Sequence, residues 1–495
     1  MTLLAIDAGT TGVTALLVTA DGRVAACGHR EFPQHFPRPG WVEHDPAEIW
    51  SATLAACGAA LAGAGTGAEP PTAIGLTNQR ETAMLWDRRT LEAVVPAVVW
   101  QDRRTAALCR QLQEEGHEGR VRKLTGLRLD PYFTATKLRW LAEHATTAWA
   151  GVSDGSVAIG TIDSYLLARL TGGAVHATDV SNAARTLLFD IAVGAWSAEL
   201  AELFGVPLGA LPEVRPSSGS FGRTDPEHVL GLDLPVTGVA GDQSAALFGQ
   251  GCFTVGESKC TYGTGSFVLV NTGDQAVRSG SGLLTTVAWN LGDGLVYALE
   301  GSIFVTGAAV QWLRDGLGVL GAASEIEPLA ATVPDSGGVV FVPALTGLGA
   351  PHWDPDARGT ILGITRGTTA AHLARATLEA IAFQVRDVVE VMVSDTGRAL
   401  AVLSVDGGAA GNDLLCQLQA DVLGVPVERA AIREATGLGA AFLAGLATGV
   451  WSGTNQLAAI LRPDRRFDPR PADESAYVRW EEAVRRCRGW DSDSS

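Results

Sequence analysis

Apolar positions fall in short strand-like runs at the start of the chain and in helical periods further on. Leu3 to Ile6 is one run and Val13 to Thr19 a second. The hairpin-turn pair Asp21-Gly22 then leads into Val24 to Cys27, so a three-strand meander is predicted. A helix should start near Asp45, which caps it, with Pro46 at the first helical position and Glu48 completing a capping pattern. Its apolar face is Ile49, Thr53, Cys57 and Leu61. Ala73 to Leu76 and Val236 to Ala240 read as further strands.

A similar unit recurs in the second half. Lys259 to Tyr262 runs into Gly263-Thr264-Gly265, followed by Phe267 to Val270 and Asn271-Thr272-Gly273. This strand, Gly/Thr turn and strand echo the opening and suggest a duplicated lobe, with the boundary placed near residue 248. A long helix from about Thr369 to Met392 puts Leu373, Ala376, Ala380, Phe383 and Val388 on one face. The strand Val402 to Val405 then enters Asp406-Gly407-Gly408. Asp491 to Ser495 are polar and expected to fray.

Composition narrows the class. With 495 residues and 46% apolar content, two large lobes can each bury a core. A formal charge of −17 argues against a nucleic-acid or anionic-membrane partner. Seven scattered cysteines without a Cys-x-x-Cys pair fit a reducing compartment. The longest uncharged apolar stretch, around Ala435 to Val450, is Gly-rich and shorter than the roughly 20 residues that span a bilayer. The start of the chain lacks the basic region and apolar run of a signal peptide. A soluble cytoplasmic protein is expected.

Three lysines, Lys123, Lys137 and Lys259, stand among 37 basic residues, and none lies in a Walker A loop. Gly316 to Gly321 matches GxGxxG, but it follows a helix-like segment and reads as a helix C-cap and turn. The turn Asp7 to Gly12 is more informative. Gly9 and Gly12 allow close backbone approach, and the Thr10 and Thr11 hydroxyls with the turn N–H groups can cradle phosphate oxygens. Asp7 at the strand end makes sense there if a hydrated Mg²⁺ lies between; an ordinary Gly-rich hairpin would use the same residues. Together with Gly263 to Gly265 and Asp406 to Gly408, three Gly-rich strand exits suggest one nucleotide in a cleft. Asn78-Gln79-Arg80-Glu81 and Gly241-Asp242-Gln243 also fall at strand ends, where α/β ligands bind. An Asp at such an exit can accept a proton from a substrate hydroxyl, as phosphoryl transfer requires.

Tyr132 to His144, the segment Gly359 to Ile364 and the stretch His372 to Glu379 resemble the two signatures of the FGGY-type carbohydrate kinases. Thr161-Ile162-Asp163, Asn182 to Thr186 and Ala350 to Pro355 are similar too, and the resemblance runs from Asp7 to about Gly445. It implies an α/β fold of two ribonuclease-H-like lobes, of the actin, hexokinase and Hsp70 type, around a central cleft. The lobes would be 1–247, for polyol and phosphates, and 248–495, for the nucleotide. Among family members the sharper likeness is to those acting on glycerol. It implies that Arg80, Glu81, Tyr132, Asp242 and Gln243 hydrogen-bond the triol while Trp100 and Phe267 wall its carbons. Asp242 would be the general base, and Asp7 and Asp242 would hold Mg²⁺. Thr10, Thr11 and Gly12 would face the phosphates of ATP, and Thr264, Gly307, Gln311, Gly408 and Asn412 the rest of the nucleotide. A homo-oligomer, dimer or tetramer, is expected.

Two departures stand near the phosphates: Ala8 where such enzymes usually carry Gln, and Thr14 where many carry Arg. Some are inhibited by fructose 1,6-bisphosphate through a Gly-rich loop ending in Arg. Here that region is Thr224 to Gly231, with Asp225 and Glu227, and no such inhibition is expected. Others are activated by phosphorylation of a histidine at the spacing of His228, which reads here as a plain surface residue. A chaperone- or filament-type ATPase would share the lobes without the hydroxyl-binding set, and a related sugar kinase would need a longer pocket.

Overall fold

Two mixed sheets organise the chain, and each begins with the strand–turn–strand unit read from the sequence. The structure, a computed structural model, describes residues 1–65, 69–471 and 473–491. The first sheet contains β1 (Thr2–Ala8), β2 (Gly12–Thr19), β3 (Val24–Glu31), β4 (Pro71–Asn78) and β5 (Val236–Gly241), in the spatial order β5-β4-β1-β2-β3. The meander is antiparallel, and β4 and β5 add in parallel to β1. Helix α1 (Pro46–Gly63) covers one face of this sheet. Asp45 caps it by accepting from the Ala47 N–H, but Glu48 turns to His35 at 3.1 Å and does not complete the capping pattern. Ile49, Thr53 and Cys57 are buried, whereas Leu61 only leans on the core. Helix α2 (Thr134–His144) carries part of the first signature, and α3 (Asp242–Gly249) leaves the end of β5.

The second sheet repeats the plan. Its strands are β6 (Ser258–Tyr262), β7 (Ser266–Gly273), β8 (Leu284–Asn290), β9 (Leu295–Ile303), β10 (Leu403–Asp406), β11 (Val427–Ala430) and β12 (Pro463–Phe467). The order is β8-β9-β7-β6-β10-β11-β12. The inner series β11-β10-β6-β7-β9 matches β5-β4-β1-β2-β3 in order and in parallel or antiparallel sense. Helix α4 (Gly307–Asp315) ends at Gly316, confirming the GxGxxG match as a helix end. The long helix α5 (Ala370–Thr396) runs one turn beyond its expected end and buries Ala376, Ala380, Phe383 and Val388. Helix α6 (Asp413–Leu423) begins just after the Asp406 to Gly408 exit.

The apolar stretch that was too short for a bilayer becomes α7 (Ala435–Ala447), which packs across the first sheet. Small residues permit the approach. A Cβ on Gly75 of β4 would lie 2.1 Å from the Ala440 carbonyl oxygen, and one on Gly439 would lie 1.9 Å from that of Ala245. Among the described residues no helix is long and apolar enough to cross a membrane. Asp491 pairs with Arg358 at 2.5 Å, while the rest of the segment expected to fray, 492–495, lies outside the described residues.

Candidate active site

Strand pairing sets the site. Asp7 of β1 is in register with Thr77 of β4, and Asn78 at the end of β4 lies opposite Gly241 of β5. The Asp7 turn, Arg80-Glu81 and Asp242-Gln243 therefore emerge side by side at one sheet end. The turn closes through the Gly9 N–H donating to the Gly12 carbonyl at 3.0 Å, and Gln79 Nε2 holds the Gly9 carbonyl at 3.1 Å. The Thr10 hydroxyl accepts from Trp100 Nε1 at 3.0 Å, linking the turn to the aromatic wall. Thr14 bonds His29 at 3.0 Å.

The residues expected to face a polyol converge from both sheets. Trp100 stands between Tyr132 (ring centroids 5.5 Å apart) and Phe267 of β7 (6.5 Å), edge to face with each. Arg80 donates bidentately to Glu300 of β9, Nη1 to Oε2 at 2.7 Å and Nη2 to Oε1 at 3.0 Å, while its Nε lies 3.1 Å from Asp242 Oδ1. Glu81 accepts from Arg185 Nε at 2.6 Å, and Arg185 Nη2 reaches Glu300 at 3.0 Å. Arg80, Glu81, Arg185 and Glu300 are all buried, so the adjacent Arg-Glu pair is no surface ion pair. Glu81 has φ = 64°, a left-handed conformation costly for a non-glycine residue, and its flanks are tied by the Thr82 N–H to the Arg80 carbonyl. The Thr134 hydroxyl also holds the Glu81 carbonyl. Burial pushes the Glu81 carboxyl upward against the pull of Arg185 and Arg80. Glu300 is also penalised by burial, but Arg185 and Arg80 outweigh this and hold it down at about 2.

The expected nucleotide residues gather at the matching end of the second sheet. The Thr306 and Ala308 N–H groups donate to the Thr264 carbonyl, and that of Gly307 to the Gly263 carbonyl, tying the start of α4 to the turn. Gln311 is exposed one turn further along α4. Thr261 pairs in register with Asp406, which brings the Gly407-Gly408 exit against the same turn. Asn412 caps α6, its Oδ1 accepting from the Leu415 N–H at 2.8 Å.

Burial, and after it the nearby Asp242, raise the Asp7 carboxyl to about 7. No Lys or Arg pairs with Asp7 among the described residues. Two neighbouring carboxylates lacking a cation on one side suit a divalent ion shared with ligand phosphates. Among the described residues no cluster of three or more His, Cys, Asp or Glu gathers to hold a metal, so a self-contained protein cage is absent there.

Sequence reasoning gave no role to Arg185, Glu300 or Lys259. Arg185 lay in a segment noted only for its likeness. Glu300 is the one charge inside the strand Leu295–Ile303, and that break in an apolar run was its available signal. Lys259 is the second residue of a buried strand, where an ammonium is out of place without partners.

The descriptions "FGGY family of carbohydrate kinases, N-terminal domain" and "C-terminal domain" match residues 2–249 and 258–448. A glycerol kinase of Aromatoleum aromaticum is 54% identical over 491 residues, 99% of each chain. Glycerol kinase 2 of Thermotoga maritima is 51% identical over 492 residues, again 99% of each. The crystal structure of Plasmodium falciparum glycerol kinase with ADP superposes with a TM-score of 0.91 at 36% identity, covering 98% of each chain. The xylulose kinase of Rhodospirillum rubrum gives 0.83 at 26% identity, with 99% of this chain and 98% of that one covered. The chain belongs to the FGGY family of carbohydrate kinases.

Proposed function

We propose that this kinase transfers the γ-phosphoryl group of ATP to a terminal hydroxyl of glycerol, giving sn-glycerol 3-phosphate and ADP. The observation that carries the reading is the junction of the two sheets. There the aromatic corner Trp100, Tyr132 and Phe267 stands with the polar set Arg80, Glu81, Asp242 and Gln243. Three hydroxyls need several fixed donors and acceptors, and their C–H edge suits flat aromatic faces. Full-length relatives named glycerol kinases support it.

In this mechanism Asp242 accepts the proton of the attacking hydroxyl; its side chain is 27% exposed, so a substrate can reach it. Arg80 and Glu81, held rigid by Glu300 and Arg185, fix the neighbouring hydroxyls, and Trp100 and Phe267 cover the carbons. The Thr10, Thr11 and Gly12 turn orients the phosphates, while Thr264, Gly307, Gln311, Gly408 and Asn412 bind the rest of the nucleotide. Asp7 and Asp242 would hold Mg²⁺, which when bound neutralises phosphate charge as it develops. We place the enzyme in the cytoplasm, in keeping with seven free cysteines, and as a homo-oligomer.

A coupled ADP-release assay over glycerol, dihydroxyacetone, erythritol, xylulose and no acceptor tests the reading. Glycerol should lead in kcat/KM, with xylulose lower on the order of 10³-fold or more. A kinase for a longer polyol is the second reading, favoured by the superposition on a xylulose kinase; equal turnover of xylulose or erythritol would establish it. ADP release without acceptor would instead favour a plain ATPase.

A further inference from the structure

Gln243 lies in the first turn of α3 in the first half of the chain, and Lys259 lies on β6 in the second. Lys259 is fully buried. Its Nζ donates to Gln243 Oε1 at 2.5 Å and to the Thr261 hydroxyl at 2.8 Å. An ammonium has donors only, so the Gln243 atom facing it must be the carbonyl oxygen and the NH₂ must point the other way. Among the described residues nothing accepts from Gln243 Nε2, and that atom is not sealed from solvent. Its NH₂ therefore keeps solvent contact without a protein acceptor among the described residues, while the Gln243 backbone N–H donates to Oδ1 of the preceding Asp242 at 2.7 Å.

We propose that Lys259 is a positioning residue that locks the Gln243 side-chain amide with its NH₂ toward the substrate, making Gln243 an obligate hydrogen-bond donor to a polyol hydroxyl. The proposal rests on the reading above that Gln243 faces the polyol. The chemistry is complementary: Asp242 offers an acceptor, and the locked amide offers a donor at the adjoining position. A freely rotating amide would spend part of its time presenting a second acceptor there, where a hydroxyl already donating to Asp242 has no further proton to give. A cation behind the carbonyl also polarises the amide and strengthens its N–H donors. Asp406, Asp242 and Glu300 surround the ammonium electrostatically and oppose the burial that disfavours its charge.

The test is a double-mutant cycle with Lys259→Met, Gln243→Leu and both together, reading kcat and KM for glycerol and for ATP. Lys259→Met should raise the glycerol KM about tenfold, the scale of one lost hydrogen bond, and change the ATP KM less than about threefold. In the Gln243→Leu background the same substitution should change the glycerol KM less than about twofold, since the amide through which it acts is gone. Effects that multiply in the double variant, or an ATP KM that rises as much as the glycerol KM, overturn the proposal. An unchanged glycerol KM in Gln243→Leu alone instead overturns the underlying reading of Gln243. Should Lys259→Met fail to fold, wild-type enzyme labelled with side-chain ¹⁵N-glutamine decides. The NH₂ signal missing from Gln243→Leu should shift on adding glycerol but not ADP, and an unmoved signal refutes the assignment.

Discussion

Replacing Glu300 by glutamine keeps the shape of the side chain and removes the charge that joins the two halves of the site. Glu300 accepts three hydrogen bonds from guanidinium groups, at 2.7 and 3.0 Å from Arg80 and 3.0 Å from Arg185, and is fully buried. Its carboxyl is lowered from 4.5 to about 2. At about 1.4 kcal/mol per pKa unit, this corresponds to about 3 kcal/mol favouring the ionised form. Removing one partner of a buried ion pair typically costs about 3–5 kcal/mol, because the other charges stay buried. Glu300→Gln should therefore lose about 3–5 kcal/mol of stability at pH 7. For a cooperative unit of about 250 residues this lowers Tm by roughly 6–10 °C. The sign with pH follows from the lowered pKa. The wild-type advantage is full above about pH 4.5 and shrinks as pH falls toward about 2. Urea unfolding at pH 7 and pH 4 measures it, with glycerol KM as a second readout of a loosened Arg80. A loss below about 1 kcal/mol at pH 7 would refute the view that this carboxylate compensates both guanidiniums.

Asp242→Asn should lower kcat on the order of 10²-fold or more while glycerol binding by calorimetry changes only a few-fold; near-normal kcat would remove Asp242 from the base role. Gly75→Ala would drive a Cβ to 2.1 Å from the Ala440 carbonyl oxygen, with backbone on both sides. It should cost about 1–3 kcal/mol or more in chemical denaturation, and unchanged stability would mean that α7 can lift from β4. Fructose 1,6-bisphosphate at millimolar levels should not inhibit, since His228 is exposed and bonded to Asp225 at 2.9 Å with Glu227 alongside; a dose-dependent fall in ADP release would contradict this.

What could be read in the chain was what short segments determine by themselves. The Gly-rich exits after β1, β6 and β10, the Asp45 cap and the face of α5 each rest on a few neighbouring residues, and they stand where the pattern put them except that Leu373 on α5 is only partly buried. The two-lobe plan was legible because its opening unit appears twice. The ion cluster was not, because its members meet across great separations: 220 residues divide Arg80 from Glu300, and 104 divide Glu81 from Arg185. No local pattern distinguishes a surface Arg-Glu neighbour pair from one enclosed by partners that far away. The left-handed backbone at Glu81 was equally hidden, since nothing but enclosure would hold a glutamate there.

The same enclosure bears on which carboxylate does the chemistry. Three acids, Glu81, Asp242 and Glu300, share two guanidiniums, Arg80 and Arg185. Glu81 and Glu300 are almost wholly covered, with side chains 2% and 0% exposed, and each is committed to short bonds from arginine. Of the two guanidiniums Asp242 meets only the Nε of Arg80, at 3.1 Å, its Oδ1 also taking the Gln243 backbone N–H, and it keeps an open side. Asp242 is thus the accessible acid of the cluster. Under the proposed mechanism that is where a proton can be received without dismantling a buried pair. Glu81 and Glu300 serve by keeping the arginines in place while Asp242 remains available.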